Sequence, residues 1–344
     1  MNKRNRPIKL EDLAKKLKVS KVTISKALRD HPDISAATTA KVKDLAEKLG
    51  YMPNIMAKNL SSRKSNTIGL VIPKIAHFFF ASVIESIYNT AFENNYEIVL
   101  TVSQEKSERE RKHILSLLSM RVDGLLVSVT QETKDTSIFE RVNNHGVPLI
   151  FIDRVPDMTG ISSITVNDFE GAFSAVDYAV KKGYTKIAHI GGYHNINIGR
   201  ARYEGFLKAM RSNRIPINQN WIIEGGFGEE DGYNGFKKIY EKKNIPDYIF
   251  AATYPIALGI YAAANEYGIN IPEDIEVTCF GRNSFNRFIP SIFNFVDQPT
   301  TELGSQAVKL MIEQINNPDS SPQNIILNTE LIIGSSNSKR EVAG

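Results

Sequence analysis

From residue 66 onward, short apolar segments alternate with longer segments of helical periodicity, and this alternation restricts the possible folds most strongly. The predicted strands are, in chain order, TIGLVI, YEIVLTVS, GLLVSV, PLIFID, KIAHIGG, WIIEGG, DYIFAA and EVTCF. Strands that alternate with helices form parallel sheets covered by helices on both faces. We therefore expect an α/β core of two similar doubly wound parallel-sheet subdomains, with a ligand between them at the carboxyl ends of the strands.

Residues 1–52 have a different periodicity, which predicts a small all-α head. Its first helix places apolar residues on one face, namely Leu10, Leu13, Ala14 and Leu17. Ser20 is a favourable N-cap for a second helix that runs from Lys21 to about Arg29. Ser35 precedes a third helix, which ends at Gly50. Two helices joined by a short turn and braced by a third are typical of a helix-turn-helix, although purely structural three-helix modules share this pattern.

The second helix, in the segment VSKVTISKALRD, carries apolar residues on two opposite sides. Ile24, Ala27 and Leu28 follow the spacing of a single helical face, which indicates a core stripe. Val22 and Lys26 lie four positions apart, roughly opposite Ile24. A core stripe explains the first three residues, but it leaves a valine beside a lysine on the solvent side.

Positive charge is concentrated in the same part of the chain. The whole chain has a net charge of +4, whereas residues 1–64 contain 16 Lys and Arg against 6 Asp and Glu. The remaining residues contain 26 basic and 32 acidic side chains. This asymmetry favours a head that binds a polyanion such as nucleic acid, and the alternative is a solvated basic face without a partner.

Residues 53–65 connect the head to the core. Pro53 interrupts the preceding helix, and Asn54 can cap a helix of about two turns over Ile55–Leu60. A helix of that length is marginal alone in water, so we expect it to order only when another surface packs against it. A simple interdomain linker is the alternative.

Several classes of protein are not expected from this sequence. The single cysteine, Cys279, excludes an intrachain disulfide and agrees with a reducing cytoplasm. No apolar segment is long enough to span a membrane, and the basic start of the chain does not have the apolar centre of a secretory signal. We also find no metal spacing among the 6 histidines and no common catalytic motif, so we expect no cofactor and no enzymatic activity.

The segment IKLEDLAKKLKVSKVTISKALRDHPDISAATTAKVKDLAEKLGYMPNIMAKNL resembles the DNA-binding head of the lactose-repressor (LacI) family of transcription regulators. The resemblance continues through TIGLVIPKIAHFFFASVI, VPLIFIDR, ITVNDFEGAF, GYTKIAHIGG, GRARYEGF and GINIPEDIEVTCFG, in the order found in that family. It covers nearly the whole chain and implies a periplasmic-binding-protein-like core.

The resemblance implies particular roles in the head. Lys21 and Val22 match the principal major-groove readers, and Lys26 matches a position that usually holds arginine. Lys26 contacts either a base edge or only a phosphate. For Val22, contact with a thymine methyl group explains an apolar side chain on the solvent side.

Other positions of the head and the connecting segment match residues of the family that touch the DNA backbone or its minor groove. Thr23 and Ser25 match hydroxyl residues near phosphates. Ala57 and Leu60 match the small residue and the intercalating leucine of the family's hinge helix, although Leu60 packed on the core is the alternative. Lys9 departs from the family, which usually has a capping threonine there.

In the core, the resemblance implies an effector cleft. Arg202 matches the arginine that binds effector hydroxyls or carboxylates. Phe79 and Phe80 match aromatic positions of the pocket. Asp153 and Arg154 follow the fourth strand and face the cleft, with a structural salt bridge as the alternative.

Two departures change the expected effector. Thr253 and Tyr254 replace the usual Asn-Asp pair, and Cys279, Phe280 and Gly281 replace the usual Gly-Phe-Asp, followed by Arg282. Carboxylates that accept hydrogen bonds from sugar hydroxyls are therefore missing from these positions. Our hypothesis from the sequence is an effector that is not a simple neutral sugar and is anionic.

Together these features predict a sequence-specific DNA-binding repressor that binds a near-palindromic operator as a homodimer and is modulated by a small molecule. The alternatives are an exported solute-binding protein, which residues 1–64 argue against, and a regulator controlled by a protein partner. The expected domains are 1–52, a hinge and linker at 53–65, and an effector-binding core at 66–344. Within the core we expect one subdomain at 66–164 and 296–322 and the other at 165–295 and 323–344, with three crossings between them.

Overall fold

The computed structural model describes residues 8–52, 64–76, 78–283 and 291–334. Contacts within the chain divide it into two compact units, Met1–Ser65 and Asn66–Gly344. The division falls at the end of the polar linker, and each unit has its own hydrophobic core.

The head consists of three helices, α1 Leu10–Leu17, α2 Lys21–Ala27 and α3 Ala36–Lys48. The hydroxyl of Ser20 accepts a hydrogen bond from the backbone N–H of Thr23 at 3.0 Å, which caps α2 as predicted. The second helix ends two residues earlier than expected, because Leu28 already has the geometry of a C-cap. At the start of α1, the Asp12 carboxylate accepts from the backbone N–H of Lys9 at 2.9 Å, whereas the Lys9 side chain forms no cap hydrogen bond of the kind a threonine would form.

The core of the head is formed by the residues that the helical periodicity identified. Leu13, Ile24, Ala27 and Val42 are completely buried. They come from all three helices and pack in one cluster. The burial of Ile24 and Ala27 turns the opposite side of α2 to solvent, which is the side that carries Val22.

The core unit alternates strands and helices. Its described strands are β1 Thr67–Ile72, β2 Glu97–Val102, β3 Gly124–Val127, β4 Leu149–Ile152, β5 Ser162–Val166, β6 Ile187–Gly191, β7 Ile222–Glu224, β8 Tyr248–Ala251, β9 Glu276–Phe280, β10 Asn294–Asp297, β11 Asn324–Leu327 and β12 Glu330–Ile332. Its described helices are α4 Phe78–Glu93, α5 Ser107–Ser119, α6 Ser137–Asn144, α7 Asp168–Lys181, α8 Asn197–Ser212, α9 Glu229–Glu241, α10 Tyr254–Glu266 and α11 Thr300–Asn316.

The strands form two sheets, as the alternation predicted. The first sheet has the order β11-β5-β4-β3-β1-β2, and all of its pairs are parallel. The second has the order β12-β10-β9-β8-β6-β7, and only β12 is antiparallel. Central strands such as β4 and β8 are buried over their whole length, which fits their uninterrupted apolar sequences. The four strands β5, β10, β11 and β12 were not among the predicted ones.

The sheet to which each strand belongs determines where the chain crosses between the two subdomains, and it crosses three times within the described residues. The crossings follow β5, β10 and β11, at about residues 167, 298 and 328. The last crossing differs from the expected boundary after residue 322, because β11 pairs with β5 and so forms the edge strand of the first sheet. The register that joins Ile325 to Ile164 buries β5 between two neighbours, an interaction that local sequence does not encode.

The carboxyl ends of both sets of strands meet at one cleft within the core unit. Residues that follow β1, β4, β6, β7, β8, β9 and β10 all line it. This is the place where ligands bind in open α/β sheets. Among the described residues, no helix is both long and apolar enough to cross a membrane.

Candidate DNA-binding surface and effector cleft

The solvent side of α2 carries the residues proposed to contact DNA bases. Lys21 and Val22 are exposed, and Val22 keeps 64% of its surface accessible, which is unusual for a valine. Thr23, Ser25 and Lys26 are half-buried along the flanks of the same helix. The structure therefore displays Val22 on the protein surface next to positive charge and does not use it for packing.

Two carboxylates that sequence reasoning did not single out lie beside the lysines of α2. Lys21 forms an ion pair with Glu11 of α1. Lys26 lies 2.5 Å from Asp33 in the connection to α3. In each case the hydrogen bond from the lysine lowers the pKa of the carboxyl group. Because these pairs are solvent-exposed, DNA phosphates can compete with them for the lysines.

The remaining DNA-binding candidates divide into described and undescribed residues. The hydroxyl of Thr23 hydrogen-bonds with that of Ser20 at 2.9 Å, so this side chain takes part in capping α2. The backbone carbonyl of Ser25 accepts from Arg29 Nε at 3.1 Å. Ala57 and Leu60 lie outside the described residues.

Arg202 is the most deeply buried charged residue of the cleft, with 2% of its surface exposed. Its Nε and Nη2 atoms each lie 2.7 Å from Oδ1 of Asp168, and its Nη1 donates to the carbonyl of Ala252 at 2.5 Å. The guanidinium carbon also lies 3.9 Å from the centre of the Phe280 ring. The groups that the resemblance assigns to an effector are therefore already engaged within the protein.

Arg154 is similarly paired, and its partner is not the neighbouring Asp153. Its Nη1 lies 2.9 Å from both carboxylate oxygens of Glu105, and its guanidinium carbon is 4.6 Å from the centre of the Phe227 ring. Asp153 has a left-handed backbone with φ of 61°. Burial raises the pKa of its carboxyl group to about 7. The salt bridge considered as an alternative exists, but with a residue 49 positions away.

Glu110 is a further buried carboxylate, and it binds the loop after β3, which also donates a hydrogen bond to Glu105. It accepts hydrogen bonds from the backbone N–H of Thr130 and the hydroxyl of Thr133, both at 2.8 Å. Glu105 in turn accepts from the N–H of Gln131 at 2.9 Å. Desolvation raises the pKa of Glu110 to about 7 despite these bonds. The loop after β3 is thus attached to the arginine network by two acidic side chains.

Aromatic rings fill the centre of the cleft. Phe79 and Phe80 pack edge to face with centroids 5.2 Å apart, and Phe78 meets Tyr254 of the other subdomain at 6.4 Å. Phe227 closes the opposite side. The remaining cavity has a volume of only about 60 Å³. This is well below the 300 Å³ or so at which ligand pockets usually begin.

The positions that depart from the family pattern have structural roles. The hydroxyl of Thr253 donates to the carbonyl of Phe227 at 3.0 Å and caps α10. Tyr254 is half-buried, and burial raises the pKa of its phenol. Cys279 is buried, which raises the pKa of its thiol. None of the three presents a carboxylate to the cleft.

Arg282 remains accessible but is also paired. Its side chain is 48% exposed, and its Nε lies 3.0 Å from Oδ1 of Asp297. Each of the three arginines that line the cleft is therefore balanced by a carboxylate. An anionic effector would have to displace one of these partners, so the structure offers it no uncompensated positive charge among the described lining residues.

Direct hydrogen bonds connect the two subdomains across the cleft. Asn197, at the start of α8, accepts from the N–H of Val155 at 3.0 Å and donates to the carbonyl of Asp153 at 3.0 Å. Asn195 donates to the carbonyl of Gln131 at 3.3 Å. Sequence reasoning missed these asparagines, since nothing in their local pattern separates them from ordinary loop residues.

No metal site accompanies the cleft within the described ranges 8–52, 64–76, 78–283 and 291–334, where we find no cluster of three or more possible ligand side chains. His189 is buried in a stack with Tyr203, Phe206 and Phe250. Burial lowers the pKa of its imidazole to about 3. His189 is therefore a neutral core residue.

Two family models match separate parts of the chain. Residues 9–54 match the lacI family of bacterial regulatory proteins, and residues 176–337 match a periplasmic binding protein-like domain. The chain is 30% identical over 324 residues to the HTH-type transcriptional repressor PurR of Pasteurella multocida (strain Pm70), covering 94% of this chain and 97% of that protein. It is 27% identical to catabolite control protein A of Priestia megaterium, covering 90% of this chain and 93% of the relative.

A solved structure also matches this chain over both the head and the core. The lac repressor dimer bound to operator and the anti-inducer ONPF superposes with a TM-score of 0.83 at 25% identity. The superposition covers 96% of this chain and 98% of that one. Head and core are therefore both present in a single solved relative.

Proposed function

This chain belongs to the lacI family of bacterial regulatory proteins, and on that premise we propose how its surfaces regulate transcription. The chain is a DNA-binding transcription repressor with an effector-binding core. We propose that α2 binds each half of a near-palindromic operator and that a small molecule in the core modulates this binding. We further propose that the protein acts in the cytoplasm, where its DNA target lies, and has no enzymatic activity.

The observation that carries this proposal is the division of α2 into two faces. Ile24 and Ala27 anchor the helix to α1 and α3, while Lys21 and Val22 project from the other side. A helix held in this way suits the major groove, which admits one α-helix and displays a distinct pattern for each base pair.

Each exposed residue of α2 has a proposed task. Lys21 reaches guanine edges or phosphates, and Val22 contacts the methyl group of a thymine. Lys26 reaches a base edge after it leaves Asp33. Thr23 and Ser25 lie on the flanks of the helix, where hydroxyl groups meet phosphates.

The hinge roles rest on sequence resemblance. We propose that Leu60 inserts between base pairs in the minor groove and that Ala57 permits close packing of the hinge helix. Such a wedge bends the duplex and increases the protein surface in contact with it.

A homodimer follows from the symmetry of the proposed target. Two heads related by a two-fold axis bind two half-sites in opposite orientation. An effector in the core changes the angle between subdomains, and we propose that this orders or melts the hinge segment and so changes DNA affinity. The cross-cleft bonds of Asn197 support this proposal, because any change of angle must break or re-form them.

Selection of bound sequences from random double-stranded DNA tests the proposed function. We expect enrichment of two related half-sites in inverted orientation. A variant with both Lys21→Ala and Val22→Ala is a matched control, because both side chains are exposed and their removal leaves the core of the head intact. Enrichment of a single unpaired site, or the same enriched sequence from the control, would contradict the assignment of α2.

A further inference from the structure

The segment between α2 and α3 folds back onto the end of α2. The backbone N–H of His31 donates to the carbonyl of Lys26 at 3.0 Å, and the N–H of Ile34 donates to the carbonyl of His31 at 3.0 Å. The N–H of Asp33 donates to Nδ1 of His31 at 3.3 Å, and the side chain of Ile34 packs on the core of the head. These contacts bring Asp33 close to Lys26 through the backbone, so their proximity does not depend on an ion pair between two flexible side chains.

Lys26 and Asp33 form a solvent-accessible pair of opposite charge. Nζ of Lys26 lies 2.5 Å from Oδ2 of Asp33, and Nδ1 of His31 lies 3.5 Å from the same oxygen atom. The side chains of Lys26 and Asp33 are 33% and 57% exposed. The hydrogen bond from Lys26 lowers the pKa of the Asp33 carboxyl group, which is therefore charged at neutral pH and can only accept hydrogen bonds. The surface thus offers a donor and an acceptor side by side.

Stability is a weak reason for a carboxylate at position 33. Exposed ion pairs stabilise proteins little, because water and salt screen the two charges. Duplex DNA carries one negative charge per about 1.7 Å of its axis, and it repels a carboxylate on any surface that approaches it. With α2 in the major groove, Asp33 therefore lowers the affinity for DNA unless a base offers its carboxylate a hydrogen-bond donor.

Asp30 lies in the same segment but pairs with a different helix. Nζ of Lys43, on α3, lies 2.6 Å and 2.7 Å from its two carboxylate oxygens. This pair joins the segment to α3, so the charge of Asp30 is used within the head. Asp33, by contrast, accompanies a lysine of the helix that carries the proposed base contacts.

The base edges of the major groove discriminate between the ways in which such a pair can bind. A G·C pair displays two adjacent acceptors, guanine N7 and O6, and next to them the amino group of cytosine as a donor. In an A·T pair the donor lies between two acceptors, so a carboxylate that binds the adenine amino group also faces an acceptor. Only the G·C order lets an ammonium group bind two adjacent acceptors while a neighbouring carboxylate accepts from the amino group.

We propose that Lys26 and Asp33 together recognise one G·C pair in each half-site, with Lys26 on the guanine and Asp33 on the cytosine. This inference rests on the proposed function, in which α2 enters the major groove, and it adds Asp33 as a residue that determines specificity. Binding exchanges the direct contact between the two side chains for contacts with the two bases of one pair. The same carboxylate repels phosphates and so limits non-specific binding through Lys26.

Matched operator duplexes and the full-length protein test the proposal. Selection from random DNA by the unmodified protein supplies the operator, and Lys26→Ala locates the base pair at which discrimination is lost. Four duplexes then carry G·C, C·G, A·T or T·A at that pair in both half-sites. We expect the unmodified protein to prefer one orientation of the G·C pair by roughly tenfold over the other three duplexes, as for a good base contact.

Asp33→Ala should reduce this preference by roughly fivefold, the effect of losing one base contact. It should also bind unrelated duplex DNA about threefold more tightly, with a dependence on salt that is steeper by about one phosphate contact, because Lys26 is then free to meet the backbone. A purely structural role of Asp33 predicts weaker binding to every duplex instead. Asp44→Ala, which removes a carboxylate from the exposed pair with Lys48 within α3, is the matched control and should keep the base preference.

Three results would overturn the proposal: a preference for A·T or T·A at the pair that depends on Lys26, no pair that depends on Lys26, or an unchanged base preference in Asp33→Ala. The selection step separates these results from failure of the proposed function. If the unmodified protein enriches no inverted repeat, the assignment of α2 fails. If it enriches one and Asp33→Ala keeps the same preference, only the role of Asp33 fails.

Discussion

Arg202 and Asp168 form an ion pair between α8 and α7 that is almost completely removed from solvent, with exposures of 2% and 5%. Two nitrogen atoms of the guanidinium group share one carboxylate oxygen at 2.7 Å. The pair lies against Phe280 at the edge of the cleft. The arginine that resemblance assigns to the effector is thus also a structural element of the second subdomain.

Removing one partner of this pair should be strongly destabilising. Asp168→Ala leaves the Arg202 charge buried against the Ala252 carbonyl and the Phe280 ring with no carboxylate partner, and we expect a loss of about 3–5 kcal/mol in the free energy of unfolding. Urea denaturation measures this loss. Asp44→Ala, in the exposed pair with Lys48, is the control and should have little effect. Equal effects of the two substitutions would show that burial of the pair is unimportant.

Stability should fall as the pH rises from about 4.5 to about 7. The folded protein holds the proton of Glu110 with a pKa of about 7, against 4.5 without burial, so it binds more protons than the unfolded chain in this window. Asp153, with a pKa of about 7, acts in the same direction, whereas buried His189, with its pKa lowered to about 3, opposes one of these two carboxyl groups up to about pH 6.5, so the net fall remains. Well above pH 7 both carboxyl groups are charged in the folded protein, and the full cost of burying these charges lowers its stability. Near pH 4.5 and below they are protonated in the folded protein, and this cost is absent.

Glu110→Gln should reduce the fall in stability with rising pH, and it should increase the free energy of unfolding at pH 8 by up to about 3 kcal/mol. The amide can still accept from the N–H of Thr130 and donate to the Thr133 hydroxyl. Glu105 and Arg154, which also act on this carboxyl group, remain unchanged in the variant. Denaturation between pH 4.5 and pH 8 measures the slope, and exposed Glu140→Gln is the control. If the pH dependence of stability is unaltered in Glu110→Gln, this carboxyl group does not cause it.

Val22 should determine base preference at one position of each half-site. Contact between its methyl groups and a thymine methyl favours an A·T pair there, and Val22→Ser should shift the preference at that position only. Selection of operators by the two proteins compares the preferences. If the unmodified protein tolerates all four bases at every position near α2, the proposed contact of Val22 does not exist.

Lys26→Ala separates base contact from phosphate contact. If Lys26 reaches a base edge, the variant should lose about 1–3 kcal/mol of discrimination at one position. If it touches only phosphate, affinity should fall uniformly across sequences, with a shallower dependence on salt. Gel-shift titrations at several salt concentrations measure both quantities. We expect the first result, and Lys48→Ala, at the far end of α3, serves as the control for general loss of charge.

Asn197→Ala should weaken the contact between the two subdomains across the cleft. It removes both hydrogen bonds that this side chain makes with the first subdomain, and we expect a loss of about 1–3 kcal/mol in the free energy of unfolding together with a changed operator affinity. Asn213→Ala is matched in chemistry, but its amide bonds stay within the second subdomain, to Asp177 and Ala209. An identical operator affinity for the unmodified protein and Asn197→Ala would contradict the proposed coupling.

Local sequence was sufficient for the parts of the fold that depend on periodicity and capping. The spacing of Leu13, Ile24 and Ala27 determines which faces of the head helices are buried, and Ser20 determines where α2 begins. The uninterrupted apolar strands such as IFAA determine the parallel sheets, because only strands covered on both faces are apolar throughout. The exposed position of Val22 follows from the same periodicity.

Only the tertiary structure decided what the cleft can bind. Arg202 and Asp168 are 34 residues apart, and Arg154 and Glu105 are 49 apart, so no local pattern shows that each arginine is neutralised. The short strand β11 joins the first sheet because β5 offers it an edge, not because of its own sequence. Periodicity reports which side of an element meets the core, whereas pairing across long separations depends on which elements the whole fold brings together.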